Sequence, residues 1–322
     1  MNLKQDLERA WAWRESTGVF RDLEAVRVFH GPGEASGSEG SGLLIERFGL
    51  HFWITAREDA APSAAVEKTV AEFLKAHGAR SAVWLKRSKK EVPAEPVPLF
   101  GELPAPQTVQ EGALQFEIRF RDTKHPGLFL DHQPLRDWLR HRAKGWRVLN
   151  LFAYTGSLSV AAGKGGAAAV TTVDLSKPTI EWAKRNWELN GLPAERARFW
   201  VDDVFPTLER LARKQERFDC VILDPPSFSR GKKGAFSTSK DLQALHERVF
   251  AVVAPGGWVI TSINSENLSW EKYLSEVQEA ARSKGLRLVT HRRIDAPETF
   301  PNRFDRPEER YLKGWILRAL PV

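Results

Sequence analysis

From residue 146 onward, short apolar runs alternate with helix-like segments, and this alternation constrains the fold more than any other feature of the chain. The apolar runs are WRVLNL, AVTTVDLS, ARFWVDD, FDCVILDPP and GWVITSIN, and the helix-like segments surround KPTIEWAKRNWELNG, DLQALHERVFAVV and WEKYLSEVQEAARSKG. Such alternation predicts an α/β fold with a parallel, Rossmann-like sheet covered on both faces. Only a loop separates the last two runs, LRLVTHRRI and LKGWILRAL, so we predict that these terminal strands pair antiparallel.

The first part of the chain has a different pattern. Short alternating runs, AVRVFHG, GLLIERFGLHFWIT and LQFEIRFRD, are separated by GPGEASGSEGSG and by the proline-rich EVPAEPVPLFGELPAPQ, with one helical stretch, SAAVEKTVAEFLKAHG. This pattern predicts a small α+β domain over residues 1–124 and an α/β domain over residues 125–322.

Composition excludes several classes of protein. The chain has 322 residues, 42% of them hydrophobic, and no uncharged apolar stretch approaches the length of about 20 residues that spans a bilayer. The single cysteine, Cys220, cannot form an internal disulfide, and the N-terminal residues lack an apolar secretory core, so we expect a cytoplasmic protein. No Cys/His metal cluster is expected. The net charge of +7 suits a polyanionic partner such as nucleic acid.

Acidic residues follow the predicted strands at the sheet edge where α/β folds bind ligands. The first strand leads into LNLFAYTG with Gly156 at the turn; the second ends at Asp174, the third at Asp202 and Asp203, and the fourth at Asp224. An acid after the second strand can accept both hydroxyls of an adenosine ribose, and one after the third can accept the adenine amine. Taken singly, each could instead be a turn glycine or a helix cap.

Neither phosphate-binding pattern, G-x-G-x-x-G or G-x-x-x-x-G-K-[ST], occurs in the chain. One glycine preceded by the bulky FAYT suits an adenosine ligand without phosphates. The sequence therefore predicts S-adenosylmethionine as the cofactor.

Five segments of the chain carry a resemblance to a known family: HPGLFLDHQPLR, LNLFAYTGSLSVAA, TTVDLSKPTIEWAKRNWELNGL, DDVF and LDPPSFSR. Together they resemble the class I S-adenosylmethionine-dependent methyltransferases of bacterial 23S rRNA, the group that contains RlmI and the RlmK half of RlmKL. The resemblance is specific over residues 125–322 and extends more weakly through RVFHGPGEASGSEGSGLLIERFG, which is similar to the family's preceding small domain. It implies a class I methyltransferase sheet, and 23S rRNA or a pre-50S particle as the partner.

The resemblance also implies a set of site residues. For the cofactor these are Phe129, Asp131, Asn150, Phe152, Tyr154, Gly156, Asp174, Leu175, Asp202, Asp203, Val204 and Asp224. For catalysis they are Asp224, Pro225 and Phe228. Gln133 stands where the family tends to have arginine, which leaves the role of Arg136 open.

In methyltransferases similar to this one, the acid and carbonyls of a [D/N]-P-P-[F/Y] turn meet the polar edge of a flipped base, and the aromatic ring stacks on its face. Asp224 would read the base and Phe228 would support it. Arg230, Lys232 and Lys233 would contact phosphates, although a charged run of this kind can equally be a solvated loop. The arginine-containing segment 295–310 could fold over the substrate or be a plain connection.

Methylation of pyrimidine carbon 5 needs a nucleophile, normally a cysteine thiolate. Cys220 precedes Asp224 by four residues within a strand, roughly 13 Å away at about 3.3 Å per residue. Family members that make 5-methylcytosine carry a cysteine after the fifth strand, where this chain has Asn264. A ring nitrogen such as guanine N7 needs only alignment with the sulfonium. We therefore favour guanine N7 over cytosine carbon 5, with a small-molecule or protein methyltransferase, or a non-enzymatic RNA-binding factor, as the alternatives on the same fold.

Overall fold

The computed structural model describes residues 2–56, 63–85, 96–121, 123–226, 228–231, 234–264, 268–305 and 312–322, with the backbone alone for residues 228–231 and 234–240. The chain divides into two compact units, Met1–Asp131 with Ala296–Arg310, and His132–Asp295 with Tyr311–Val322. These units differ from the predicted ranges 1–124 and 125–322, because residues 125–131 and 296–310 belong to the first unit. The division of function between two domains stays a prediction.

The second unit contains the alternating strands and helices. Its strands are β8 (Arg147–Leu151), β9 (Ala169–Asp174), β10 (Ala197–Val201), β11 (Phe218–Leu223), β12 (Phe228–Gly231), β13 (Gly234–Ser237), β14 (Val253–Asn264), β15 (Leu286–Arg293) and β16 (Leu312–Pro321). Its helices are α6 (Gln133–Arg142), α7 (Ser157–Lys164), α8 (Lys177–Leu189), α9 (Val204–Arg213), α10 (Thr238–Phe250) and α11 (Trp270–Arg282). Polar N-caps begin three of them, since the side chains of Ser176, Asp203 and Ser269 accept backbone N–H groups of α8, α9 and α11.

Within the described residues, the sheet of this unit has seven strands in the order β10-β9-β8-β11-β14-β16-β15. The first five of these are parallel, and β16 pairs antiparallel with both β14 and β15. The predicted α/β fold and its antiparallel terminal strands are confirmed. Strand order runs outward in both directions from β8 and β11, so the carboxyl ends of these two strands form the topological switch point, where α/β sheets bind ligands.

The first unit contains helices α1 (Leu3–Ser16), α2 (Val19–Asp22), α3 (Gly31–Glu34), α4 (Ser38–Ser41) and α5 (Ala64–Ala76). Its strands are β1 (Ala25–His30), β2 (Leu43–Phe48), β3 (His51–Ala56), β4 (Ser81–Leu85), β5 (Pro96–Phe100), β6 (Gln107–Glu111) and β7 (Leu114–Ile118). Strands β1 to β5 form one sheet in sequence order, and β6 pairs with β7. Buried side chains of α1 and α5, among them Leu7 and Val70, share one hydrophobic core with this sheet.

Buried arginines attach residues 299–301 to the first unit. Arg14 is fully buried, forms an ion pair with Glu34 at 2.7 Å and donates a hydrogen bond to the carbonyl of Thr299 at 2.8 Å. The guanidinium of Arg27 lies over the ring of Phe300, 4.0 Å from its centre. A Cβ on Gly33 would lie 1.9 Å from the carbonyl oxygen of Pro301, so only glycine permits this approach.

A chain of buried hydrogen bonds connects α10, β14 and α11 in the second unit. The Nδ1 atom of His246 lies 2.8 Å from the carbonyl oxygen of Leu242, and its Nε2 atom lies 2.8 Å from the hydroxyl of Thr261. The Tyr273 hydroxyl lies 2.6 Å from the same Thr261 oxygen. Burial lowers the pKa of His246 to about 4, although the hydrogen bond to Leu242 opposes the shift. The imidazole is therefore neutral in the folded protein near pH 7.

We predict that the free energy of unfolding falls as the pH is lowered from about 6.5 to about 4, because the unfolded chain binds a proton at His246 that the folded chain excludes. This group contributes a slope of up to about 1.4 kcal/mol per pH unit. Urea unfolding of wild type and His246→Gln at several pH values measures it. Burial also lowers the pKa of His30, so the difference between the two proteins isolates His246. Equal slopes would contradict the prediction.

Candidate functional site

The loop after β8 has an unusual backbone. Phe152 and Tyr154 have positive φ angles of 53° and 49°, in the left-handed region that non-glycine residues rarely adopt. Gly156 follows with φ 73°, and a Cβ there would lie 2.9 Å from the Cβ of Ala183. Strained backbone of this kind persists only where the surroundings hold it, and it is concentrated at ligand sites.

Asp174, the last residue of β9, holds this loop. Its Oδ2 atom accepts a hydrogen bond from the backbone N–H of Tyr154 at 2.9 Å, and its Oδ1 atom accepts one from Ser176 at 2.9 Å. Burial raises the pKa of Asp174, and these backbone hydrogen bonds oppose the shift. A carboxylate has about four acceptor positions, so Asp174 can also accept a hydrogen bond from a ribose hydroxyl. The residues present therefore fit an adenosine-containing cofactor.

Two buried amides form hydrogen bonds to this loop and to the helix α7 that follows it. Asn150 donates from its side chain to the hydroxyl of Ser159 at 2.9 Å, and Asn186 donates to the carbonyl of Thr155 at 2.9 Å. Asn150 is predicted to bind cofactor, but the structure gives its side chain a role inside the fold. Sequence reasoning missed Asn186, whose only signal was an amide on the buried face of a predicted helix.

The residues after β9 and β10 differ in how available their side chains are. Leu175 is 42% exposed, whereas Val204, the first residue of α9, is buried in the core. The carboxylate of Asp202 is bound by Arg210 at 2.8 Å, and Asp203 caps α9 by accepting the N–H of Phe205 at 3.0 Å. The helix-cap interpretation therefore holds for Asp203 whether or not it also contacts a ligand.

Asp224 follows β11 at the other side of the switch point. Its Oδ1 atom accepts a hydrogen bond from the hydroxyl of Ser262 at 2.6 Å, and its Oδ2 atom lies 3.8 Å from Nδ1 of His132. Pro225 is buried beside it, which stiffens the turn. The side chains of Phe228 and Arg230, and all of Lys232 and Lys233, lie outside the described residues.

The strand order places the ends of β10, β9, β8 and β11 side by side, so the acids after these strands and the 152–156 loop share one edge of the sheet. Phe129 and Asp131 belong to the first unit instead. There Phe129 is 40% exposed and stacks on His125 with ring centres 4.2 Å apart, and Asp131 is buried. Their contribution to a cofactor site stays a prediction. Arg136 is fully buried in α6.

Cys220 lies in the middle of β11, where it is paired with Val148 of β8 and Trp258 of β14. It is fully buried, and burial raises the pKa of its thiol. A thiol in this environment is protonated and shielded from substrate. Asn264 is exposed at the end of β14.

Two features of the described residues concern metals and membranes. Their histidines, cysteine and acids include no group of three or more that could hold a metal ion. Their helices include none that is both long and apolar enough to cross a membrane.

Solved structures share this fold over nearly the whole chain. The crystal structure of SMU.776 in complex with SAH matches with a TM-score of 0.87 and 24% identity, covering 99% of this chain and 82% of that one. The S-adenosylmethionine-dependent methyltransferase of Agrobacterium tumefaciens matches with a TM-score of 0.67 and 22% identity, covering 92% and 89%. At these identities the likeness shows the fold, which is that of class I methyltransferases.

Sequence comparisons lead to a family. The model of the S-adenosylmethionine-dependent methyltransferases matches residues 62–310. YwbD of Bacillus subtilis, provisionally named a ribosomal RNA large subunit methyltransferase, is 36% identical over 219 residues, which are 68% of this chain and 55% of YwbD. The ribosomal RNA large subunit methyltransferase K/L of Allochromatium vinosum is 34% identical over 279 residues, 81% of this chain and 36% of that protein. The chain thus spans about half or less of the length of these relatives.

The chain belongs to the S-adenosylmethionine-dependent methyltransferase family. Membership of this family confirms the family that the sequence predicted.

We predict that Asp174→Ala weakens S-adenosylmethionine binding by about 1.5 to 3 kcal/mol, because charged hydrogen bonds to the ribose are lost and the loop at Tyr154 loses its acceptor. Titration calorimetry measures the affinity. Glu181→Ala, which removes an exposed carboxylate from α8, is the matched control and should bind as wild type does. Unchanged affinity in Asp174→Ala would remove Asp174 from the site.

Proposed function

We propose that the chain transfers the methyl group of S-adenosylmethionine to a base of RNA in the cytoplasm, with 23S rRNA, naked or in a pre-50S particle, as the substrate and guanine N7 as the acceptor atom. The observation that carries this proposal is the arrangement at the switch point. Asp174 and the strained 152–156 loop follow β9 and β8, and the rigid Asp224-Pro225 turn follows the neighbouring β11. A cofactor pocket beside an acceptor-rich turn suits a planar base.

Three further observations support RNA as the substrate. The relatives at 36% and 34% identity are named for methylation of large-subunit ribosomal RNA. The chain carries a net charge of +7, which favours binding to a polyanion. A separate compact unit accompanies the methyltransferase unit, and we assign it to RNA binding.

The choice of a nitrogen follows from the state of the chain's single cysteine. Methylation at cytosine carbon 5 needs a thiolate beside the base, and Cys220 is buried within β11 with a raised thiol pKa. Guanine N7 already has a lone pair in the plane of the ring. The protein then has to hold the base in line with the methyl group, which is a task of orientation.

Each group has a role in this reaction. The carboxylate of Asp174 binds the ribose, Leu175 covers one side of the cofactor, and Asp203 accepts from the adenine amine. Asp224 accepts hydrogen bonds from the base, with Phe228 stacked on it.

Salt dependence tests the class of substrate. The logarithm of the binding constant for rRNA fragments should fall linearly with the logarithm of salt concentration, with a slope of about −0.7 for each phosphate contacted on a single strand. Methyl transfer to rRNA from cells that lack the gene, followed by mass mapping, identifies the atom. A shallow slope together with turnover of a small molecule or a protein would replace RNA as the substrate, and absence of turnover with bound RNA would indicate a non-enzymatic binding factor.

We predict opposite effects for two substitutions. Cys220→Ala should lower stability by about 1 to 2 kcal/mol and leave the turnover of folded protein near wild type, because the thiol is only part of the core. Asp224→Ala should cost about 1 kcal/mol of stability and most of the activity, because it removes the orienting acceptor. Chemical denaturation and methyl transfer to rRNA measure both. A covalent adduct with 5-fluorocytosine RNA would overturn the choice of nitrogen.

A further inference from the structure

Asp224 lies between two polar side chains that come from different elements. Ser262 of β14 is 1% exposed and donates to Oδ1 at 2.6 Å, a short charge-assisted hydrogen bond. His132 lies at the start of α6, is 5% exposed and faces Oδ2 at 3.8 Å through Nδ1, which is an ion-pair distance rather than a hydrogen bond. Each oxygen of the carboxylate is therefore approached from a separate direction.

The environment of the His132 side chain does not favour the stability of the fold. Its Nε2 atom is buried, and among the described residues no hydrogen-bond partner reaches it. A buried polar atom without a partner destabilises a fold, so such a group in a native structure calls for a functional explanation. The position next to Asp224 supplies one.

We propose that Ser262 and His132 are positioning residues that fix the carboxylate of Asp224 in the orientation in which it meets the acceptor base. The proposal rests on the proposed role of Asp224. A methyl transfer loses rate steeply when the acceptor is displaced by about 1 Å, so a carboxylate free to rotate about its Cβ–Cγ bond would align the base poorly. Two contacts from β14 and α6 remove that rotation.

The neighbouring residue on β14 provides a matched control for Ser262. Thr261 has its buried hydroxyl bonded to His246 and Tyr273, away from Asp224. We expect Ser262→Ala to lower kcat on unmodified rRNA about 10- to 100-fold, with the dissociation constant of S-adenosylmethionine changed by less than about threefold. Thr261→Val should lower the melting temperature and leave kcat per folded molecule unchanged.

His132 permits a test in which stability and activity move in opposite directions. His132→Leu removes the unpaired nitrogen and keeps the volume, so its melting temperature should rise by about 2 °C or more while kcat falls about tenfold or more. His132→Asn keeps a polar side chain near the position of Nδ1 and should recover at least a third of the wild-type kcat. A side chain that served only the fold would lower stability when replaced.

The outcomes separate this proposal from the one on which it rests. Wild-type kcat in both Ser262→Ala and His132→Leu, with Asp224→Ala inactive, would overturn the positioning role and leave Asp224 in place. Wild-type kcat in Asp224→Ala would overturn both. A fall in kcat for Ser262→Ala and His132→Leu, with recovery in His132→Asn, supports the proposal.

Discussion

The hydrogen bond from the backbone N–H of Tyr154 to the carboxylate of Asp174 is the interaction on which the second unit depends. It connects the loop after β8 with the end of β9, and it offsets part of the strain of two non-glycine residues in the left-handed region. Under the proposed function the same carboxylate also binds the ribose of the cofactor. One side chain would then both maintain the loop and bind the cofactor, which couples loop geometry to binding.

Much of the second unit could be predicted from sequence, because buried parallel strands are continuous apolar runs and surface helices are periodic. The strands and helices of the first unit were harder to predict from sequence. Strand β5 lies inside a proline-rich stretch interpreted as a separator, but it occupies the edge of its sheet, where a missing N–H breaks no ladder bond. Segment GPGEASGSEGSG, also interpreted as a separator, contains α3 and α4 packed so closely that a Cβ on Gly31 would lie 2.0 Å from the carbonyl oxygen of Gly40.

The candidate site shows the same limit. Acids at strand ends were visible in the sequence because the position of a residue after an apolar run is a local property. Ser262 and His132 were not visible, since each is linked to Asp224 only by a tertiary contact. Ser262 reaches it across 38 residues of chain, and His132 reaches it from the segment just before α6. Asn186 is a third example, because nothing local distinguishes an amide that supports a distant carbonyl from one that faces solvent. Roles that depend on contacts between residues far apart in the chain therefore cannot be predicted from the sequence alone.

Residues 296–310 belong to the first unit although the strands on either side of them belong to the second. Arg14 of the first helix therefore finds one of its acceptors, the Thr299 carbonyl, 285 residues later in the chain. During synthesis α1 leaves the ribosome long before Thr299 exists, so Arg14 lacks this acceptor until then. The first unit can therefore reach its final form only after residues 296–310 have been translated.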